Sequence, residues 1–202
     1  MHKTLIALLL GLAMPASATT AADVLKSRLA ALGSFSADFS QRVTDADGNL
    51  AMEASGTMAV SRPQKLYWHT QSPDETLLIS SGDTLWLYNP FVEQVTLYSP
   101  RDAVGRTPML LLSSQDEAIW AQFRIESRGD DFTIRPMEEE GAYVTALTVR
   151  FDGERVEGLT IQDASGQRNE VRFEGFQSPM ADNPAIRFEF TPPQGVLVDD
   201  QR

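Results

Sequence analysis

The sequence contains no cysteine. That excludes disulfides, thiolate metal sites, iron–sulfur ligation, thiol catalysis and Cys-linked lipid anchors. Histidine is almost as scarce, with His2 and His69 the only two. A Ser-His-Asp hydrolase would have to use His69 as its base, and no G-x-S-x-G elbow accompanies it. Beyond Lys3 the lysines are Lys26 and Lys65, neither preceded by glycine, so a P-loop is excluded. Positive charge is short overall: 17 Lys plus Arg stand against 28 Asp plus Glu, a net charge of −11. Binding to nucleic acid or to anionic lipid through bulk charge is therefore disfavoured. The Asp45-Ala46-Asp47-Gly48-Asn49 cluster has its glycine too early for a calcium loop and lacks the distal bidentate Glu, so it reads as a hairpin turn. Glu138-Glu139-Glu140 reads as a solvated acidic turn. Nothing here points to a catalytic residue, a metal site or a cofactor.

What is present is a globular composition, 42% hydrophobic and 22% charged. Met1-His2-Lys3, the apolar run Leu5 to Met14, Pro15 and Ala16-Ser17-Ala18 make a secretory signal peptide over residues 1–18, cut after Ala18. Ten apolar residues are too few to span a bilayer. Residues 19–202 are then one domain, whose stability must come from a packed core rather than cross-links.

Residues 21–33 carry Val24, Leu25, Leu29 and Leu32 at helical spacing, and Gly33 is a natural stop. From Phe35 the period switches to two. Strands are expected at Phe35–Val43, Met52–Val60, Leu66–His69, Thr76–Ser80, Thr84–Tyr88 and Gln94–Tyr98. Residues 107–122 interrupt them. Thr107-Pro108 opens one helical piece through Leu112, and Ser114-Gln115-Asp116-Glu117 fits a capping box for another through Trp120. Strands resume at Phe123–Ser127, Phe132–Arg135, Tyr143–Phe151, Arg155–Gln162, Arg168–Glu174 and Ile186–Thr191, with 176–184 a loop. The count is about eleven strands, with frequent turns that favour an antiparallel meander over βαβ units. One sheet of that size must bury a face or close on itself. His69 has the opposite parity to Leu66 and Trp68 and is expected on the outer side. Large aromatics and flexible Met residues, namely Trp68, Trp86, Tyr88, Phe91, Met52, Met58, Met109 and Trp120, suit either an ordinary core or an adaptable apolar pocket.

The run Leu85-Trp86-Leu87-Tyr88-Asn89-Pro90-Phe91-Val92-Glu93-Gln94 resembles the signature of the outer-membrane lipoprotein carrier (LolA) family. So do Leu25-Lys26-Ser27-Arg28-Leu29, Arg62-Pro63, Gly105-Arg106-Thr107-Pro108 and the stretch from Phe188 to Val196. The likeness runs from about Val24 to Gln201, and its order and spacing rather than any single motif make it specific. It implies a mainly β fold: an incomplete antiparallel β-barrel of about eleven strands, covered by three short helices as a lid. It further implies a monomeric carrier without turnover in the periplasm of a Gram-negative bacterium. Such a carrier takes lipoprotein acyl chains from an inner-membrane ABC transporter (LolCDE-like) and passes them to an outer-membrane receptor (LolB-like).

By residue type alone, Arg62 reads as a solvated strand-end residue. The resemblance implies instead a lid latch, its guanidinium bonded to backbone carbonyls near Leu29 and Leu112. Leu25, Leu29, Leu32, Met109, Leu110 and Leu112 are the acyl-facing lid candidates. Leu66 and Trp68 share one strand face and are assigned to the cavity wall. Trp86 and Tyr88 are assigned to the same wall in preference to Leu85 and Leu87. Family members often carry an aromatic where Leu66 and Met109 stand here; both replacements keep the site apolar. Two other classes stay open at this stage: a binding module for a small hydrophobic ligand with no lipoprotein partner, and an esterase dependent on His69.

Overall fold

Period-two alternation builds half of the described residues into a single sheet. The computed structural model describes residues 19–202; the segment assigned to a signal peptide lies outside the described residues. Helix α1 (Ala21–Leu32) leads into β1 (Ser34–Thr44), β2 (Leu50–Ser61), β3 (Lys65–Ser72), β4 (Thr76–Ser81), β5 (Thr84–Asn89) and β6 (Gln94–Tyr98). An insert follows, made of α2 (Pro100–Ala103), a 3-10 turn (Pro108–Leu112) and α3 (Glu117–Trp120). The chain then forms β7 (Phe123–Arg128), β8 (Asp131–Pro136), β9 (Val144–Asp152), β10 (Arg155–Asp163), β11 (Arg168–Gln177) and β12 (Leu197–Asp200). Strand order is β12-β6-β5-β4-β3-β2-β1-β11-β10-β9-β8-β7, and the sheet stays open. This is the expected incomplete barrel with a helical cover, with twelve strands rather than about eleven.

Local chemistry sets the ends of the elements. Thr20 caps α1: its hydroxyl accepts from Asp23 N at 3.2 Å, while the Asp23 carboxylate accepts from Thr20 N at 3.1 Å. The Thr20 hydroxyl also donates to Asp23 Oδ2 at 2.7 Å, and this bond, with that from Thr20 N, holds the Asp23 carboxyl below its usual range. In the β1–β2 turn, Asp45 Oδ1 accepts from the amides of Asp47 and Asn49 at 3.0 and 2.8 Å. That carboxylate is committed to the turn, not to a cation. Helix α3 starts later than the capping-box reading: Asp116, not Ser114, is the cap and accepts from Ala118 N at 2.9 Å.

The two faces of the sheet bury different sets. The inner face packs Phe35, Phe39, Met58, Val60, Leu66, Trp68, Leu85, Ile134, Leu147 and Phe173 against α1 and the insert. Because β6 lies beside one sheet edge and β7 forms the other, residues 99–122 bridge the gap that the open barrel leaves. The outer face packs Ala59, Tyr67, Ile79 and Trp86 against Ile186, Phe188 and Phe190.

The expected strand at 186–191 does not form. Its alternation is real, since Ile186, Phe188 and Phe190 all face the sheet, but the segment runs over the outer surface as a strap without a ladder. Pro184, Pro192 and Pro193 around it have no N–H to donate. The strap carries the chain from β11 to the far edge, where β12 pairs in parallel with β6, a geometry that requires such a crossover.

Gly56 sits where β1, β2 and β3 meet. A Cβ there would lie 1.9 Å from the His69 carbonyl oxygen and 2.8 Å from the Phe39 ring. The missing side chain lets Phe39 stack on Trp68 at a centroid distance of 4.4 Å. Gly56→Ala should destabilise the fold by about 3 kcal/mol, read as a lower urea midpoint with an unchanged slope.

Candidate functional site

The lid closes on the sheet through leucine. Leu25 and Leu29 of α1 and Leu111 and Leu112 of the 3-10 turn have no exposed surface, and Leu110 is nearly as buried. Leu32 and Met109 are half-buried against the same cluster. Opposite them, Leu66 is fully buried and Trp68 nearly so. The six lid candidates and the first wall pair therefore meet on the inner face. In this conformation their apolar surface is spent on one another, so a guest would have to displace the lid.

The second wall pair is a correction. Leu85, not Trp86, faces inward, and Leu87 shares its parity. Trp86 and Tyr88 point to the outer face, where their rings lie 5.9 and 5.4 Å from that of Phe190. The β4–β5 hairpin pairs Ser81 with Thr84 around Gly82-Asp83, and that register decides which side each residue takes. The strap aromatics, too distant in sequence to enter a local reading, supply the partner that makes an outward Trp and Tyr stable. His69 is on the outer face, as its parity implied. Its Nε2 lies 2.8 Å from Glu75 Oε1 and its Nδ1 lies 3.3 Å from the Tyr67 hydroxyl. The sheet itself separates this group from the apolar lining, which gives an esterase reading no geometric support.

The polar contacts of the lid converge on the β2–β3 turn. Arg62 donates from one terminal nitrogen to Leu112 O at 2.9 Å and from the other to Ser114 O at 2.8 Å. Between them Gln64 N donates to Ser113 O at 2.9 Å. Three consecutive carbonyls at the end of the 3-10 turn are thus held by one turn of the sheet. A helix end leaves its last C=O groups without intrahelical donors, and this turn supplies them. Trp120 Nε1 also donates to Ser114 O, at 3.2 Å. The expected bond to Leu29 is absent: Arg62 reaches the end of α1 by its backbone N–H, which donates to Gly33 O at 3.0 Å. Burial without a carboxylate partner pulls the Arg62 guanidinium below its usual range. Its Nε is buried and unpartnered.

Behind the insert a cleft of about 680 Å³ runs between Asp102, Arg106 and Pro108 on one side and Met137 and Tyr143 on the other. Its floor includes Ile134 and Leu147 of the inner core. Arg106 stacks over Tyr143 at 4.3 Å and donates to its hydroxyl at 2.9 Å, forming the rim. Among the described residues, no cluster of His, Asp and Glu is arranged to hold a metal, and no helix is long and apolar enough to cross a membrane.

A model of the family described as outer membrane lipoprotein carrier protein LolA matches residues 30–193. The chain belongs to that lipoprotein carrier family. Proteins of Yersinia enterocolitica and Serratia proteamaculans, each named outer-membrane lipoprotein carrier protein, are 40% identical to it over 205 aligned residues, covering all of both chains. A solved structure of a LolA superfamily protein from Nitrosomonas europaea aligns with TM-score 0.51 and 14% identity, over 83% of this chain and 96% of that one. An uncharacterized conserved protein from Thermus thermophilus aligns with TM-score 0.53 and 9% identity, over 90% and 100%. At such identities the likeness concerns the fold alone. In this member of the LolA family, Arg62 binds the carbonyls of Leu112 and Ser114, and Leu66 and Met109 supply apolar but non-aromatic surface.

The reassigned wall makes a simple distinction. Leu85→Ala should change binding of an acyl-chain probe, whereas Trp86→Ala should leave it unaltered and cost about 2 kcal/mol of stability through the outer face. Fluorescence titration with a labelled fatty acid alongside urea unfolding checks both.

Proposed function

We propose that this chain is a periplasmic, monomeric carrier that shields the acyl chains of outer-membrane lipoproteins between the inner face of its sheet and its lid, without chemical turnover. The observation that carries the reading is the lid itself. Most of its greasy face is buried, yet the polar attachment of the insert at the β2–β3 turn rests on two side-chain bonds from Arg62 and one main-chain bond from Gln64. A cover needed only for stability gains nothing from an arginine whose Nε is left without a partner. A cover that must open gains a closed state of limited depth.

Magnitudes set what the carrier can do. Burying a CH₂ is worth about 0.8 kcal/mol. One sixteen-carbon chain therefore represents about 12 kcal/mol, and a triacylated cargo more than about 30 kcal/mol. Release into water is not an option, and non-covalent affinity saturates near about 18–21 kcal/mol. The carrier must recover part of the cost and pass cargo directly from donor to acceptor. The cleft reaching Ile134 and Leu147 offers a first foothold for a chain before the lid moves. The sequence has no phosphate-binding loop, so the work of extraction falls to the donor, an inner-membrane LolCDE-like ABC transporter. The acceptor is a LolB-like outer-membrane receptor that binds the chains more tightly.

Incubating the protein with spheroplasts tests the reading: it should bring a triacylated lipoprotein into the soluble fraction as a one-to-one complex. A compact apolar ligand in the purified protein, with no lipoprotein released, would point instead to a small-molecule binding module. Arg62→Leu should still accept lipoprotein but transfer it to receptor-bearing membranes at least about tenfold more slowly, since one step of lid closure that drives cargo out is lost. Normal transfer by that variant would refute the latch.

A further inference from the structure

The Arg62 side chain holds the insert, while its main-chain N–H meets Gly33 O just past the end of α1. The side-chain anchor of α1, the other half of the cover, lies on the opposite rim. Arg28 lies on the flank of that helix, between the buried Leu25 and Leu29, and leans over this rim of the sheet. One terminal nitrogen donates to Asp130 Oδ1 at 2.8 Å, in the β7–β8 turn, and approaches Gly153 O at 3.5 Å, in the β9–β10 turn. The guanidinium carbon stands 4.7 Å from the ring centroid of Phe151 and 5.7 Å from that of Phe132. Those two rings meet edge to face at 5.8 Å and belong to the inner core. Arg28 therefore covers the end of the apolar lining with a flat cation, an arrangement aromatic faces favour. Its remaining terminal nitrogen, Nη1, is buried and unpartnered, as Nε of Arg62 is.

The two arginines share no partner. Arg62 binds carbonyls of residues 112 and 114, whereas Arg28 binds the rim formed by the turns before β8 and β10. The halves also rest on different strands: α1 lies nearest β7, the 3-10 turn nearest β9 and α2 nearest β5. The ion pair that joins the halves is Lys26 with Glu117 at 2.9 Å, and the Glu117 side chain is 76% exposed. Pairs in that setting couple elements weakly. Gly33, with φ of +62° and nothing within 4 Å of where a Cβ would stand, links α1 to β1, and its carbonyl accepts from Arg62 N at 3.0 Å.

We propose that Arg28 is a second latch, so that the cover consists of two leaves released separately: α1 by breaking the Arg28 contacts with Asp130, Phe132 and Phe151, and the insert by breaking those of Arg62. A leaf that opens alone exposes part of the inner face at a time, so cargo chains can be admitted or expelled in sequence. Arg28 is a positioning residue here, acting through α1. The proposal rests on the carrier reading only in supposing that the cover opens in use.

Segment-resolved amide hydrogen exchange on the cargo-free protein tests it, with β1, β2 and β11 as internal reference. Arg28→Gln should speed exchange in 25–32 by about tenfold while leaving 110–120 and the reference strands within about twofold. Arg62→Leu should do the reverse, and the double variant should show the two effects side by side. Arg28→Lys, which keeps the charge but not the planar stacking, should fall between wild type and Arg28→Gln. Asp130→Asn on the exposed turn should reproduce a smaller form of the α1 effect without touching the core. Three results would overturn the proposal: unchanged exchange in α1, equal loosening of both leaves by either substitution, or a rise in the reference strands matching that in α1. The readout involves no cargo. Selective loosening with no lipoprotein release by wild type would leave the two leaves standing and remove the carrier reading.

Discussion

One constraint organises this molecule: a large antiparallel sheet with an apolar inner face that does not close on itself. A closed barrel fills its interior with its own side chains and needs no cover. Here β12 and β7 remain unpaired edges on opposite sides, so the inner lining must be shielded by something that is not a strand. Helix α1 and the insert provide that shield with leucines and ask little of the backbone. The cover is therefore attached mainly by apolar contact, which has no directional requirement and can be exchanged for contact with another hydrocarbon.

The two sides of the sheet solve the same burial problem with opposite permanence. On the outer face the strap lays Ile186, Phe188 and Phe190 over Tyr67, Ile79 and Trp86 and then ends in a ladder to β6. Its far end is fixed by backbone bonds that a guest cannot imitate. On the inner face the cover is fixed by the side chains of Arg62 and Arg28, each with one buried nitrogen lacking a partner, and by two isolated main-chain bonds, Gln64 N to Ser113 O and Arg62 N to Gly33 O, rather than by a ladder. Unsatisfied buried donors raise the free energy of the closed form. The two covers thus differ in the polar groups that hold them, and the inner one lies over much the larger apolar cluster.

Much of this was legible from residue order. The strands from β1 to β11 followed from alternation and turn residues, and α1 from leucine spacing with Gly33 at its end. Parity grouped Leu66 with Trp68 and helical period grouped Leu25, Leu29 and Leu32, while the family resemblance marked those faces as inner. For Trp86 and Tyr88 that marking failed. Both alternating faces of β5 are apolar, so parity could not say which was inner, and the deciding partner, Phe190, lies about a hundred residues away in sequence. The strap misled for a related reason: Ile186, Phe188 and Phe190 alternate because they cover a sheet, not because they belong to one. Gln64 was invisible as a lid contact because it acts through its main-chain N–H, which every residue but proline carries.

The sequence by itself determined the class of the fold, the absence of thiol and P-loop chemistry, and the membership of two leucine-rich segments in a cover over the sheet. Those are properties of composition and short-range period, and a chain expresses them wherever it folds. Tertiary structure alone decided which face of β5 looks inward and what Arg62 and Arg28 hold. Those outcomes depend on carbonyls, carboxylates and rings brought together from distant positions, and only the register of the folded sheet sets such distances.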